Sequence, residues 1–311
     1  MTTLLVYHPS FLDHLTPLGH PERPDRLRAI DRALEIERFA ALEREQAPFA
    51  PAEKAFLAHP SQYVKRIEDA APEDGFVSID ADTSMSPGSW EAALRAIGGG
   101  CLAVDEVMTG KVENAFCAMR PPGHHAERIR AMGFCLFNTA AICAFHAAEA
   151  HGAERVAVID FDVHHGNGTQ DIFWDKPDFF YASTHQMPLY PGTGAVNETG
   201  KDDAGNIVNA PLAPGDGTNA FRSALEDRIV PALLTFKPAL VIVSAGFDAH
   251  ERDPLANLNL TEDDFAWATK TLMDVADRTA DGRVVSILEG GYDLVGLATS
   301  VASHVDALMY G

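Results

Sequence analysis

The chain has 311 residues, 46% of them apolar, which is enough for a sizeable core and excludes a disordered protein. Its 45 acidic against 24 basic residues give a formal charge of -21. That balance argues against nucleic-acid binding through phosphate neutralisation, which needs basic patches, and favours encounter with cationic ligands such as basic peptides or polyamines.

In chain order, Leu4 to Tyr7 reads as a first strand. His14 to Arg26 is a Pro- and His-rich loop entering a helix near Pro24, with apolar positions at Leu27, Ile30, Leu34 and Ile36. Short helices are expected around Ala52 to Ala58 and Ser61 to Ala70, then a polar acidic loop from Phe76 to Pro87. Trp90 to Met108 reads as a long helix in which Gly98, Gly99 and Gly100 allow close packing. Asn114 to Met119 is a strand that ends at Arg120 and the loop PPGHHAERIRAMGF. Asn138 caps a helix to Ala150, and Arg155 starts a buried strand. Phe179 to Thr184 and Asn206 to Ala210 are strands, with a helix predicted over Asn219 to Phe236. Leu240 to Ser244 is a buried strand leading to Asp248, Thr261 caps a helix to about Ala280, and Val284 to Leu288 is a strand leading to Tyr292. A last helix starts near Leu294. Strands alternating with helices predict an α/β fold with a mostly parallel sheet covered on both faces. No repeat or linker interrupts the chain, so a single domain over residues 1–311 is expected.

Four cysteines, Cys101, Cys117, Cys135 and Cys143, lack CxxC spacing and are expected to be reduced thiols. The first residues carry no basic leader, and no apolar run reaches the roughly 18 residues of a membrane span. A soluble cytoplasmic protein with no membrane contact is the expectation.

The chain is organised around Val156 to Gly168, VAVIDFDVHHGNG. A β-branched apolar run, as in a buried parallel strand, ends in Asp160, Asp162, His164, His165 and Asn167. In open α/β sheets, sites are built at the C-terminal ends of strands. Two carboxylates and two imidazoles so close together call for a partner, and a divalent metal suits both ligand types. Asp162 and His164, two apart on an extended segment, would point to one side and converge on one ion, with Asp160 behind them. Asp248, after its strand and a Gly-containing turn, can supply a third ligand. Three protein ligands plus an open position is the catalytic zinc pattern. Such an ion brings the pKa of its water near neutral, so a nearby base suffices for attack on a carbonyl. His124 and His125 are the candidate bases, with Asp160 and Asn167 as orienting partners. Tyr292, freed by Gly290 and Gly291, can donate to a developing oxyanion.

Together RPPGHHA, GFCLFN, DFDVHHGNGTQ, YPGTG, SAGFDAHERDPL and LEGGYDL resemble the zinc-dependent histone deacetylases and their bacterial relatives, acetylpolyamine amidohydrolases included, nearest the class II branch. The resemblance runs from about His20 to the end of the last helix. It implies an arginase-deacetylase fold with a central parallel sheet of about eight strands. It implies one zinc ion per chain on Asp162, His164 and Asp248, with His165 not a ligand. It further implies His125 as general base and then acid, His124 as an electrostatic partner backed by Asp160, Asn167 as the residue orienting His125, and Tyr292 polarising the acyl carbonyl. Phe134 and Tyr190 would wall a narrow tunnel with Gly133 at its side. A structural potassium ion is implied near the carbonyls of Asp160, Asp162 and His164 and near Ser183. An acidic gatekeeper marks polyamine-selective members after the Asp-Pro that follows the third ligand; Leu255 stands there, although Glu251, Glu198 or Asp202 could substitute from nearby loops. The loops from Phe11 to His20 and near Asp82 are expected to shape the rim.

The expected activity is removal of acetyl, or a similar acyl group, from acyl-lysine or a related long aliphatic amine. Acetylpolyamine deacetylation, a two-metal ureohydrolase and a catalytically silent acyl-lysine binding module are the rivals. The partner is an acylated amine, with no nucleic acid; a homo-oligomer is compatible with this reading.

Overall fold

The most apolar runs of the sequence become the middle of one sheet. The computed structural model describes all 311 residues. Strands β1 (Thr3–Tyr7), β2 (Glu43–Gln46), β5 (Asn114–Cys117), β6 (Val156–Asp160), β7 (Phe179–Gln186), β8 (Ile207–Leu212), β9 (Leu240–Ala245) and β10 (Val284–Leu288) form an eight-stranded sheet in the order β2-β1-β5-β10-β9-β6-β7-β8. Every neighbouring pair is parallel. A separate hairpin joins β3 (Val77–Ser78) and β4 (Ser84–Met85). Central strands β5, β6, β9 and β10 are buried throughout, as a parallel sheet covered on both faces requires.

Helices α3 (Ser89–Met108) and α4 (Thr139–His151) pack together on one face, with α2 (Ser61–Ala70) nearby. On the other, α9 (Leu294–Tyr310) packs between α1 (Asp25–Ala33) and α8 (Glu262–Thr279). Asn138 caps α4 as expected, its side chain accepting from the Ala141 N–H at 2.9 Å. The Gly98–Gly100 run lets α3 lie close to its neighbours: a Cβ on Gly100 would meet Cys143 Sγ. All four cysteines are free and buried. No helix is long and apolar enough to cross a membrane.

Some local expectations are corrected. Strand β2, with the sequence EREQ, is wholly exposed at the sheet edge, so it carries no apolar alternation to betray it. The predicted helix over Asn219 to Phe236 is α6 (Thr218–Ala224) and α7 (Val230–Phe236) joined by a π turn over Leu225–Ile229. Pro231 has no N–H to return to residue 227, and the chain widens where that bond is missing. Helix α1 ends before Ile36, which is exposed. The acidic loop from Phe76 to Pro87 contains the β3–β4 hairpin.

Candidate active site

Four neighbouring strands, β5, β10, β9 and β6, deliver the polar groups of the sequence motifs to one end of the sheet. Strand β6 stops at Asp160, and α5 (Asn167–Phe173) begins shortly after it. The segment between is bent, not extended, so the convergence of Asp162 and His164 owes nothing to strand alternation. Local hydrogen bonds produce it instead. Asp162 N–H donates to Asp160 Oδ1 (3.1 Å), and His164 N–H donates to Asp162 Oδ1 (2.9 Å). The start of α5 lies against the histidine loop, with Gly168 N–H donating to the His124 carbonyl (3.0 Å). A Cβ on Gly168 would collide with the Ala126 carbonyl.

Asp162, His164 and Asp248 come together with ligand atoms all within 4.8 Å of one another, and all three are buried. His164 Nδ1 lies 3.1 Å from Asp162 Oδ1 and 3.1 Å from Asp248 Oδ2. One imidazole proton cannot satisfy two buried carboxylates, whereas a divalent cation can. With ligand bonds of about 2.0–2.1 Å, tetrahedral edges are about 3.3 Å, close to these separations. The residues therefore fit a metal. The outer carboxylate lobes are held by backbone, with Gly290 N–H on Asp162 Oδ2 (2.8 Å) and Val163 N–H on Asp248 Oδ1 (2.9 Å). Burial raises the pKa of Asp248, and the nearby Asp162 charge adds to it. A second group, Asp105 with His146 and His151, has N···O distances of 2.8 and 2.7 Å to one oxygen. Those are the lengths of direct charge-assisted hydrogen bonds, not of a metal polyhedron.

The paired histidines sit side by side, ring centroids 4.0 Å apart, with different partners. His124 Nδ1 is 3.0 Å from Asp160 Oδ2, which also accepts the Tyr181 hydroxyl (3.1 Å). Burial opposes charge on His124, but Asp162 and Asp160 outweigh it and hold its pKa well above the ordinary value. His125 Nδ1 instead meets the amide oxygen of Asn167 at 2.8 Å. Burial, then the neighbouring imidazoles of His124 and His164, push His125 well below the ordinary value. The two rings are thus driven apart, His124 toward its charged form and His125 toward its neutral form. Pairs of groups driven apart in this way mark acid–base roles. His165 is turned away, bonded to Thr193 (2.8 Å) and Gln170 (3.1 Å).

Above these groups lies a cavity of about 240 Å³ lined by His125, His164, Gly133, Phe134, Tyr190, Leu255 and Tyr292, with Leu189 and Asp82. Phe134 and Tyr292 stand edge to face at 5.9 Å, and the Tyr190 ring stands edge-on to His125 at 5.1 Å. A Cβ on Gly133 would strike the His125 ring, which is why only glycine fits there. Every catalytic, metal and tunnel residue singled out in the sequence is at this strand end or in this cavity. Glu198 is not at its mouth: it binds the Gly194 and Ala195 N–H groups (both 3.1 Å) and Gln170. Asp82 is the carboxylate that lines the cavity, its Oδ1 accepting the Gly133 N–H at 3.0 Å.

Several supports went unread in the sequence because they act through backbone. Asp253 accepts the N–H of Tyr292 (2.7 Å) and of Leu255 (3.0 Å), bracing two cavity walls at once. Glu289 is fully buried and accepts from Gly123 (2.7 Å) and His124 (3.1 Å), and burial raises its pKa to about 7. Arg26 and Arg120 flank the buried Glu22.

A family model for the histone deacetylase domain matches residues 20–308. The chain belongs to the histone deacetylase family. That membership makes it a hydrolase of the deacetylase kind. It is 40% identical to the histone deacetylase-like amidohydrolase of Pseudomonas aeruginosa, over 88% of this chain and 73% of that protein. It is 39% identical to a probable deacetylase of Archaeoglobus fulgidus, over 100% of this chain and 87% of the other. Among solved structures, the HDA15 HD domain superposes with a TM-score of 0.94 at 35% identity, covering 99% of this chain and 89% of that one. The eight-stranded parallel sheet is thus that of the arginase-deacetylase fold.

Proposed function

We propose that the chain is a zinc-dependent deacetylase that removes acetyl, or a similar acyl group, from an amine on a slender aliphatic stem. The carrying observation is the buried Asp162–His164–Asp248 group beneath a narrow cavity, with His125 and Tyr292 on its walls. Asp162, His164 and Asp248 would hold the metal, and zinc, when bound, supplies a Lewis acid at the acyl carbonyl and a water that ionises near neutral pH. His125 takes the proton from the attacking water and returns it to the leaving amine. His124, pushed toward its charged form by Asp162 and Asp160, adds positive charge beside the developing oxyanion. Tyr292 donates a hydrogen bond to that oxygen. Phe134 and Tyr190 flank the aliphatic stem. A structural potassium ion belongs to the same proposal, and Asp160 and Ser183 do pair in register across β6 and β7.

We take residues 1–311 as a single deacetylase domain, because the central sheet draws strands from both ends of the chain. Acyl-lysine peptides are favoured over acetylpolyamines because Leu255 lines the cavity where a distal ammonium would need a carboxylate. The polyamine reading is sustained by Asp82, which lines the same cavity. The test is kcat/KM for an acetyl-lysine peptide against acetylspermidine and acetylputrescine at matched ionic strength. A polyamine preference that survives raised salt would overturn the substrate choice. Absence of acetate release from all of them would favour a silent binding module, and two metal ions per active chain a ureohydrolase.

A further inference from the structure

Asn167 has a second partner that the reaction scheme does not use. Glu127, two residues beyond the histidine pair, is half-buried in a tight turn closed by its own N–H to the Arg130 carbonyl (2.9 Å). Its Oε1 lies 2.8 Å from Nδ2 of Asn167. The same Nδ2 also lies 3.4 Å from Met132 Sδ. A carboxylate only accepts hydrogen bonds, so the edge of the Asn167 amide that faces Glu127 must be its NH2. The oxygen then faces His125 Nδ1, and since an amide oxygen also only accepts, Nδ1 must carry the hydrogen. The lone pair is left on Nε2.

We propose that Glu127 is a positioning residue that sets the tautomer of His125 by locking the Asn167 amide in one of its two orientations. This rests on the reading of His125 as the general base. Without Glu127 the amide can turn over and present NH2 to Nδ1, which favours the tautomer with its proton on Nε2, where no base remains. The arrangement separates orientation from charge. His124 meets a carboxylate directly, whereas His125 meets a neutral amide and has its carboxylate one residue further out.

The test uses the metal-loaded protein with 15N-labelled histidine. In the native chain, the imidazole spectrum should show His125 protonated at Nδ1 and bare at Nε2. Glu127→Ala should populate the opposite tautomer and lower kcat about tenfold, the scale of one lost hydrogen bond, with KM and metal content held. Glu127→Gln can still accept from the Asn167 amide and should recover most of both signals. In an Asn167→Asp background either carboxylate oxygen accepts from Nδ1, so the same Glu127→Ala change should cost nothing further. A Glu127→Ala protein that keeps the native tautomer and kcat, or an equal penalty in the Asn167→Asp background, would overturn the proposal. A native tautomer without turnover of any acylated amine would instead defeat the deacetylase reading and leave this one standing.

Discussion

The guanidinium of Arg26 lies over the ring of Tyr292, 5.0 Å from its centroid. The same side chain donates from Nε to the Gly291 carbonyl (2.6 Å) and also reaches the Glu289 carbonyl. With Asp253 on the Tyr292 N–H, the ring is gripped independently of its hydroxyl. Tyr292→Phe should therefore keep the fold, the ring position and the metal. Its kcat should fall by about 10²–10³, the loss for one oxyanion donor. Near-normal kcat in that variant would remove Tyr292 from the chemistry.

The proposed metal site should show opposite signs with and without an ion. In the metal-free protein Asp162 and Asp248 crowd one imidazole, and removing one charge relieves that. Asp248→Asn keeps an acceptor for the Val163 N–H, so the metal-free variant should unfold at the same denaturant concentration as the native chain or higher. With zinc the order should reverse, because a lost ligand weakens an ion bound to the folded state only. Paired denaturant curves with and without chelator measure both. Stoichiometric zinc retained by Asp248→Asn after mild chelation would refute the ligand assignment.

Leu255 should govern which amine is accepted. Its N–H is held by Asp253 Oδ1, so a longer acidic side chain can be carried on an unmoved backbone. Leu255→Glu should raise kcat/KM for acetylspermidine about tenfold or more relative to an acetyl-lysine peptide, as expected for pairing one ammonium with a partly buried carboxylate. Unchanged relative kcat/KM values would assign that selectivity to Asp82 or another wall.

His304, whose ring packs on Phe161 and Phe247, is fully buried between the Thr269 hydroxyl (2.6 Å) and the Ser286 hydroxyl (2.8 Å). Burial pushes its pKa down to about 3. Below about pH 6.5 the unfolded chain protonates this ring while the folded chain does not, so folding stability falls as pH drops from about 6.5 toward 3. The slope is about 1.4 kcal/mol per pH unit for one proton. His59, lowered by burial to about 4, acts with the same sign. Denaturant titrations across the mildly acidic range should show a slope one proton shallower in His304→Gln, and equal slopes would contradict this.

What the sequence disclosed and what it hid divide along physical lines. Strands β6, β9 and β10 were legible because both faces are buried and almost every position must be apolar. Strand β2 was not, because an exposed edge strand selects for charge and hydrogen-bonds only with its backbone. The candidate metal, histidine and tyrosine positions stand out in the sequence because the chemistry proposed for them is in the side chain itself. Asp253, Glu289 and Glu127 act on a neighbour's N–H or amide, and no spacing rule announces a partner that is 40 residues away, as Glu127 is from Asn167. Asp162 and His164 do lie together, but bends bring them there, not the strand alternation that the sequence suggested.

Strand β10 is the last strand along the chain, yet it is wedged between β5 and β9 at the centre of the sheet. During synthesis from the N-terminus, β5, β6 and β9 all emerge before the strand that must separate β5 from β9. The histidine pair at the end of β5 therefore cannot take its final distance from the carboxylates at the ends of β6 and β9 until Leu288 has been made and inserted. Gly290, which donates to Asp162, and Tyr292 arrive with it. A half-made chain can thus bring Asp162, His164 and Asp248 together on the neighbouring strands β6 and β9, but it cannot yet set them beside His125 and Tyr292.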